Sequence, residues 1–368
     1  MESDNTAPAP APADFRRRLL GWYRRQKRDL PWRRAVDPYA IWISEIMLQQ
    51  TTVGAVIPYY ERWLKVFPDT RSLASAPLRK VLKAWQGLGY YARARNIHAA
   101  AKIFVKRHGG RIPEDYATLR SAPGFGPYTT SAVLSLAYRQ PFPVLDSNVR
   151  RVMMRLLGLH GLADGRHDKA ISARLEELIA RRSPGNFNQA IMELGAIVCR
   201  SRSPLCPICP VQTFCAAFAK GEQELIPQPK KVSYRQIAAV VGIIEDGGRV
   251  LIQQRPDTGL LAGLWEFPGG KIRRGEGRIR ALSREIQEET GTEISEPRFF
   301  MTVDHSYTQY QVTLHAFRCS LKTGSQPIGR AHLKWVRRRD LRKYPFPSGS
   351  AKIIRGLEES DRPQRGHP

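Results

Sequence analysis

Acidic side chains are in short supply in this chain. Its 368 residues carry 33 Asp and Glu against 59 Lys and Arg, a formal net charge of +26. Such a surplus favours a polyphosphate backbone, whose field and counterions reward clustered Lys and Arg. Nucleic acid is therefore the expected partner. Long apolar runs are also missing: none approaches the roughly 20 residues of a spanning helix. No stretch sets its Lys and Arg opposite a bulky apolar face, as a membrane-surface helix would. The start shows no charged-then-apolar leader, so the chain is expected in the cytoplasm. Cysteine is sparse, five in all, and in that compartment a disulfide framework is not expected.

What is present divides the chain, which is long enough for two cores. The Ala/Pro-rich opening, within 1–13, reads as a disordered tail with nothing to bury. From 14 to 216 apolar residues recur at helical spacing. The period predicts helices near 14–26, 39–49, 52–66, 91–107, 127–138, 147–157, 168–181 and 186–198. Residues 217–234 turn polar, with Pro227, Pro229 and a Lys230-Lys231 pair, and read as an exposed linker. Over 235–356 the period falls to two. "QIAAVVGIIED", a Gly247-Gly248 turn and "RVLIQQR" read as a hairpin, and "YQVTLHAFRCSL" as a further strand, so this part is α+β. Residues 357–368 read as a tail.

Four of the cysteines crowd into "CRSRSPLCPICPVQTFC", a loop over 199–215, as Cys199, Cys206, Cys209 and Cys215. Four thiolates suit zinc or a [4Fe-4S] cluster, and gaps of six, two and five do not by themselves separate the two. Pro204, Pro207 and Pro210 hold the loop off helical geometry, and Arg200 and Arg202 beside it suit phosphate. Cys319, alone in a strand-like stretch, reads as a small core or half-buried residue.

"LRSAPGFGPYTTSAVLSLAY" places Pro123-Gly124-Phe125-Gly126 between two helical segments, a hairpin over 122–130. Gly124 and Gly126 permit a tight turn and close backbone approach. The N–H groups opening the second segment suit phosphate, and equally a plain interhelical turn. Twenty residues beyond Gly126, "VLDSNVRRV" puts Asp146 before Ser147 and Asn148 at a predicted helix start, where an N-cap is its simplest role. Upstream, Glu45 sits among Ile43, Ile46, Met47 and Leu48. Desolvation there would favour the acid form and suit a proton donor; a core-edge glutamate paired with arginine is the plainer reading.

A last cluster lies in "GGKIRRGEGRIRALSREIQEETG", from Gly269 to Gly291. On a helix Glu285, Glu288 and Glu289 share one face, which could hold Mg²⁺ with Glu276 and the Gly269-Gly270 loop nearby. The alternative is pairing with arginine, as Arg284 and Glu288 would at i, i+4.

Together these motifs resemble the adenine DNA glycosylase family (MutY) of the endonuclease III helix-hairpin-helix superfamily, over roughly residues 15 to 350. The string "LPWRRAVDPYAIWISEIMLQQT" carries the likeness most closely, with the hairpin, Asp146 and the cysteine spacing in the family's order. The resemblance implies a helical helix-hairpin-helix glycosylase domain with a [4Fe-4S] loop, followed by an α+β Nudix-like domain. It implies a monomeric, nucleoid-associated enzyme that hydrolyses the N-glycosidic bond of adenine opposite 8-oxoguanine or guanine in double-stranded DNA. Glu45 would be the general acid and Asp146 the anion facing the sugar, with Tyr128 and Asn148 hydrogen-bonding beside them. Arg33, Gln49 and Gln189 match positions lining the adenine pocket, and Gln50 and Tyr90 match wedges that prise the base out. Arg93 and Arg95 suit a phosphate contact near Tyr90. Tyr128 stands where strand-cutting relatives carry a lysine, and a phenol forms no Schiff base, so base removal without strong lyase activity is implied. A non-enzymatic cluster-bearing DNA-binding protein would need hairpin, charge and cysteines alone; Glu45 and Asp146 discriminate against it.

The segment from Gly269 resembles a Nudix box, with Gly270, Glu276, Arg284, Glu285, Ile286, Glu288, Glu289 and Gly291 at the family's spacing and Thr292 where an aliphatic residue is usual. In adenine glycosylases this domain serves to recognise 8-oxoguanine. Two readings follow: a retained scaffold whose glutamates are structural, or Mg²⁺ bound by Glu285, Glu288 and Glu289 with hydrolysis of damaged nucleoside triphosphates. The family's lesion-reading Phe-Ser-His triplet is matched here to Tyr307, Thr308 and Gln309, which puts an amide in place of the imidazole.

Overall fold

The computed structural model describes residues 11–229, 234–307, 310–322, 324–328 and 332–360. The chain forms two compact units, Met1–Ser75 with Ala99–Lys231, and Ala76–His98 with Val232–Pro368. The helices in chain order are α1 (Pro12–Gln26), α2 (Pro38–Leu48), α3 (Val53–Val66), α4 (Thr70–Ser75), α5 (Leu78–Trp85), α6 (Ala92–His108), α7 (Tyr116–Arg120), α8 (Pro127–Ala137), α9 (Ser147–Leu157), α10 (Asp168–Leu178), α11 (Pro184–Ile197) and α12 (Ala216–Ala219). The short α4, α5 and α7 escape a periodicity reading. The helix expected to reach 181 stops at Leu178, because Ile179 turns extended at ψ 135°.

In the first unit, α1 buries Phe15, Leu19, Trp22 and Tyr23 in a core shared with Ile171 and Leu175 of α10 and Phe187, Ile191 and Leu194 of α11. Local chemistry sets the ends of the elements that matter most. Asp37 caps α2, accepting from the N–H groups of Tyr39 and Ala40 (3.2 and 3.1 Å), and Pro38 fits the first turn. Gly158 closes α9 in the left-handed conformation, φ 65°. Trp42 of α2 stacks on Phe125 of the α7–α8 turn at 5.3 Å, and both rings meet Phe104. The stretch expected as an exposed linker from 217 is packed over its first part: Ala217 and Ile226 are fully buried in the same core. Its polar composition hid one anchoring apolar side chain, Ile226, whose carbonyl also accepts from Arg155 Nε at 2.7 Å.

The second unit holds a sheet of β1 (Arg235–Asp246), β2 (Arg249–Gln254), β3 (Trp265–Glu266), β4 (Gly269–Lys271), β5 (Ile294–Tyr307), β6 (Tyr310–Leu321) and β7 (His332–Arg337), with α13 (Arg278–Thr290) and α14 (Ser348–Ser360). The order is β3-β2-β1-β6-β5, with β4 on β1 and β7 on β2. The expected β1–β2 hairpin exists only at its turn, where Glu245 and Asp246 face Val250 and Arg249. Over most of its length β1 pairs in parallel with β6, from Arg235 opposite Tyr310 to Ile244 opposite Cys319. A central strand buried on both faces explains its unbroken apolar run. Val241 and Ile243 face α14, while Val240 and Ile244 face α13. At Gly242 a Cβ would come within 2.7 Å of Ile286 Cδ1, so glycine lets α13 close on the sheet. Helix α14 extends past the boundary expected at 356.

Candidate active site

Glu45 lies on α2, a helix buried almost throughout, and is itself 5% exposed. Its Oε2 accepts from the Tyr128 hydroxyl at 2.6 Å, and that hydroxyl also meets Met192 Sδ at 3.5 Å. Burial pushes the Glu45 carboxyl up to about 7. The nearby Asp146 charge adds to the rise, and the Tyr128 bond and Arg33 oppose it. Asp146 caps α9: Oδ1 accepts from Val149 N–H at 2.7 Å and Oδ2 from Asn148 Nδ2 at 3.1 Å. Burial raises this carboxyl too, but those donors and Arg151 oppose the rise by favouring the anion. Two carboxyl groups thus share one cavity in unlike settings, one beside a phenol and the other at a helix N-terminus.

The cavity, about 590 Å³, is walled by Glu45, Tyr128, Asp146 and Asn148 together with Arg33, Gln49, Gln50 and Gln189, a size within the range of small-ligand sites. Gln49 Nε2 donates to Thr129 Oγ1 at 3.1 Å. Gln189 Oε1 accepts from the Tyr23 hydroxyl at 2.7 Å. Arg33 is held by Glu193, a residue the sequence reading passed over. Glu193 is 1% exposed and accepts from Arg28 and Arg33 at 2.7 to 3.1 Å, bonds that bring its carboxyl down to about 2 against the cost of burial. One signal existed: Glu193 stands four residues after Gln189 on α11, so both fall on the face turned to the cavity.

Behind Asp146, Arg151 donates to Asn148 Oδ1 (2.9 Å), Gly195 O (2.8 Å) and Cys199 O (2.9 Å), tying the cap to the cysteine loop. The fully buried Arg155 donates to Cys199 Sγ at 3.3 Å and to Arg200 O at 2.6 Å. Cys199, Cys209 and Cys215 pack against the core, and burial raises the thiols of Cys209, to about 12, and of Cys215. Four thiols on one short loop facing a guanidinium are a donor set suited to a thiolate-bound group. Among the described residues no three His, Cys, Asp or Glu side chains converge as a metal site.

The hairpin turn is formed by Gly124 at φ 83° and Gly126 before α8, away from the cavity wall. A Cβ on Gly126 would meet nothing within 4 Å, so that position opens the helix start outward. Gln50 and Tyr90 share an unusual feature: both are non-glycine residues in the left-handed region, φ 56° and 49°. Each such conformation costs about 1 to 2 kcal/mol and persists only where neighbours enforce it. Gln50 borders the first cavity. Tyr90 borders a different one of about 540 Å³ in the second unit, with Arg255, Glu266, His305 and Ser306. The phosphate role expected of Arg93 does not suit its burial, 8% exposed, and Arg95 donates to Ala262 O. Thr308 and Gln309 lie outside the described residues, and Tyr307 is described in its backbone alone.

The box glutamates do not converge. Arg284 bonds Glu276 (2.8 Å) and Glu285 (2.7 Å) and lies 3.4 Å from the half-exposed Glu288, which pairs also with Arg273. Glu289 is half-buried, accepting from Gly269 N–H (2.8 Å) and Gln253 Nε2 (2.6 Å), and the desolvation pushes its carboxyl up to about 7. Glu266, missed in the sequence, faces the same Gln253.

A helical unit with a hairpin, a paired-carboxyl cavity and a cysteine loop defines a DNA glycosylase of the helix-hairpin-helix class. The model of the HhH-GPD superfamily base excision DNA repair proteins matches residues 43–181, and that of the NUDIX domain matches 239–356. A thermostable thymine-DNA glycosylase structure superimposes with a TM-score of 0.52 at 29% identity, over 57% of this chain and 97% of its own. The adenine DNA glycosylase of Rattus norvegicus is 33% identical, covering 95% of this chain and 78% of that protein; the Homo sapiens enzyme is 33% identical, covering 93% and 73%. The chain belongs to the adenine DNA glycosylase family, and it is a DNA-binding glycosylase of base excision repair. Among the described residues no helix is long and apolar enough to cross a membrane.

Proposed function

We propose that the enzyme removes adenine paired with 8-oxoguanine or guanine in duplex DNA, acting as a monomer at the cytoplasmic nucleoid without cutting the strand. The observation that carries this reading is the pair Glu45 and Asp146 on one cavity, the first with its carboxyl raised by burial to about 7. Extruding the adenine costs a few kcal/mol, which Gln50 and Tyr90 offset as wedges. Glu45 then gives its proton to a ring nitrogen of the base. The C1′–N bond breaks with its electron pair leaving on adenine, and the cationic sugar faces the Asp146 carboxylate. Water adds at C1′, and its proton returns to Glu45. Tyr128 and Asn148 hold the two carboxyl groups in place, Arg33, Gln49 and Gln189 line the base pocket, and Gly124 and Gly126 admit a DNA phosphate. A [4Fe-4S] cluster held by Cys199, Cys206, Cys209 and Cys215 would cross-link the loop that Arg151 and Arg155 connect to α9.

Single-turnover adenine release from A opposite 8-oxoguanine, G and T tests this, with Glu45→Gln and Asp146→Asn each expected to slow it by about 10²-fold or more. Equal rates on all three pairs would sink the mispair preference, and wild-type rates in both variants would sink the mechanism. Lesion reading belongs in this proposal to Tyr307, Thr308 and Gln309, supported by His305 and Ser306 immediately before them on the wall of the second unit's cavity. A second reading rests on Glu285, Glu288 and Glu289 of α13, where burial, and after it the charges of Glu266 and Glu285, raise the Glu289 carboxyl. These would hold Mg²⁺ for pyrophosphate release; the full chain with Mg²⁺ and 8-oxo-dGTP decides it by whether pyrophosphate appears.

A further inference from the structure

The Gly87–Tyr90 turn between α5 and α6 has three of its four residues at positive φ: Gly87 at 105°, Gly89 at 73° and Tyr90 at 49°. A turn so far from the common basins needs an external clamp. Arg93 supplies it. Its Nη2 donates to Leu88 O at 3.3 Å and Gly89 O at 3.2 Å, and its backbone N–H closes on Tyr90 O at 2.9 Å. Its guanidinium packs on two rings at once, 5.2 Å from Trp85 and 5.4 Å from Tyr90. Trp85 is fully buried, with Nε1 donating to Gly89 O at 3.0 Å.

We infer that Arg93 is the positioning residue for Tyr90: the Trp85–Arg93–Tyr90 stack holds the Tyr90 ring at the rim of its cavity before DNA arrives. This rests on the reading of Tyr90 as a wedge. Only a planar, multi-donor cation can bond two carbonyls while lying between two rings. An 8% exposed guanidinium in that position serves the turn rather than a phosphate.

The test uses the full chain as wild type, Arg93→Met, Arg93→Lys, Tyr90→Ala and the Tyr90→Ala/Arg93→Met double variant. The DNA carries 2-aminopurine beside an A·8-oxoguanine pair. Fluorescence reads base extrusion, and single-turnover release at saturating enzyme reads the rate. Arg93→Met is expected to lower both about tenfold, and Arg93→Lys to recover only part. In the Tyr90→Ala background the same change is expected to cost less than about twofold, because coupled residues are not additive. A full loss in both backgrounds means that Arg93 acts on the fold at large, and the inference falls. A wild-type rate for Arg93→Met beside a slow Tyr90→Ala overturns the positioning role alone. A wild-type rate for Tyr90→Ala overturns the wedge reading itself. Should Arg93→Met not fold, Arg93→Lys carries the same comparison in both backgrounds.

Discussion

Tyr128 and Asp146 pull the Glu45 proton in opposite directions, and pH is the lever that separates them. With the carboxyl at about 7, adenine release that needs its proton should be level below that value and fall about tenfold per unit above it. Tyr128 stabilises the carboxylate through its 2.6 Å bond. A hydrogen bond to a charged acceptor is worth about 1.5 to 3 kcal/mol, so Tyr128→Phe should move the alkaline limb up by about one to two units. Asp146 disfavours a second negative charge nearby, so Asp146→Asn should move the limb down, on the order of one unit, on top of its loss of rate. The assay is single-turnover release from A opposite 8-oxoguanine between about pH 5 and about pH 9, where the limb is in view. A limb that moves the same way in both variants, or a profile flat through neutrality, would refute Glu45 as the acid.

Glu193→Gln strands two guanidiniums on one buried site and is expected to cost about 3 to 5 kcal/mol, read as a lowered thermal midpoint; an unchanged midpoint contradicts it. Since the folded Glu193 carboxyl lies near 2, its contribution is full above the ordinary value of 4.5 and is lost as pH falls from there toward about 2. In Gly195→Ala the new Cβ would stand 2.8 Å from Asn148 Cβ, so the α9–α11 crossing must open. Release should slow while DNA affinity holds, and equal losses in both would point to misfolding instead. Cys209→Ser should lower the iron content of the purified protein and its thermal midpoint together; full iron loading in that variant removes Cys209 from the ligand set.

Periodicity and spacing made the helical half and the candidate site legible to different depths. Glu45, Tyr128 and Asp146 were readable because each sits in a motif whose chemistry is local: an apolar helix, a glycine hairpin, a helix cap. Glu193 was not, since its meaning depends on Arg28 and Arg33, some 160 positions earlier in the chain. Glu266 escaped for the same reason, being brought to Gln253 by strand pairing. The β1–β2 hairpin was over-read because a glycine turn sets only its nearest pairs, whereas the parallel β1–β6 partnership is decided by packing on two faces. Ile226 shows the converse, a single apolar residue in polar surroundings that composition averages away.

The Trp42–Phe125 stack has a mechanical meaning. Trp42 precedes Glu45 by one helical turn, and Phe125 is the tip of the turn proposed to meet a phosphate. Close-packed rings resist compression, so a load pressing on that tip would be borne by the helix that carries Glu45 rather than absorbed in the turn.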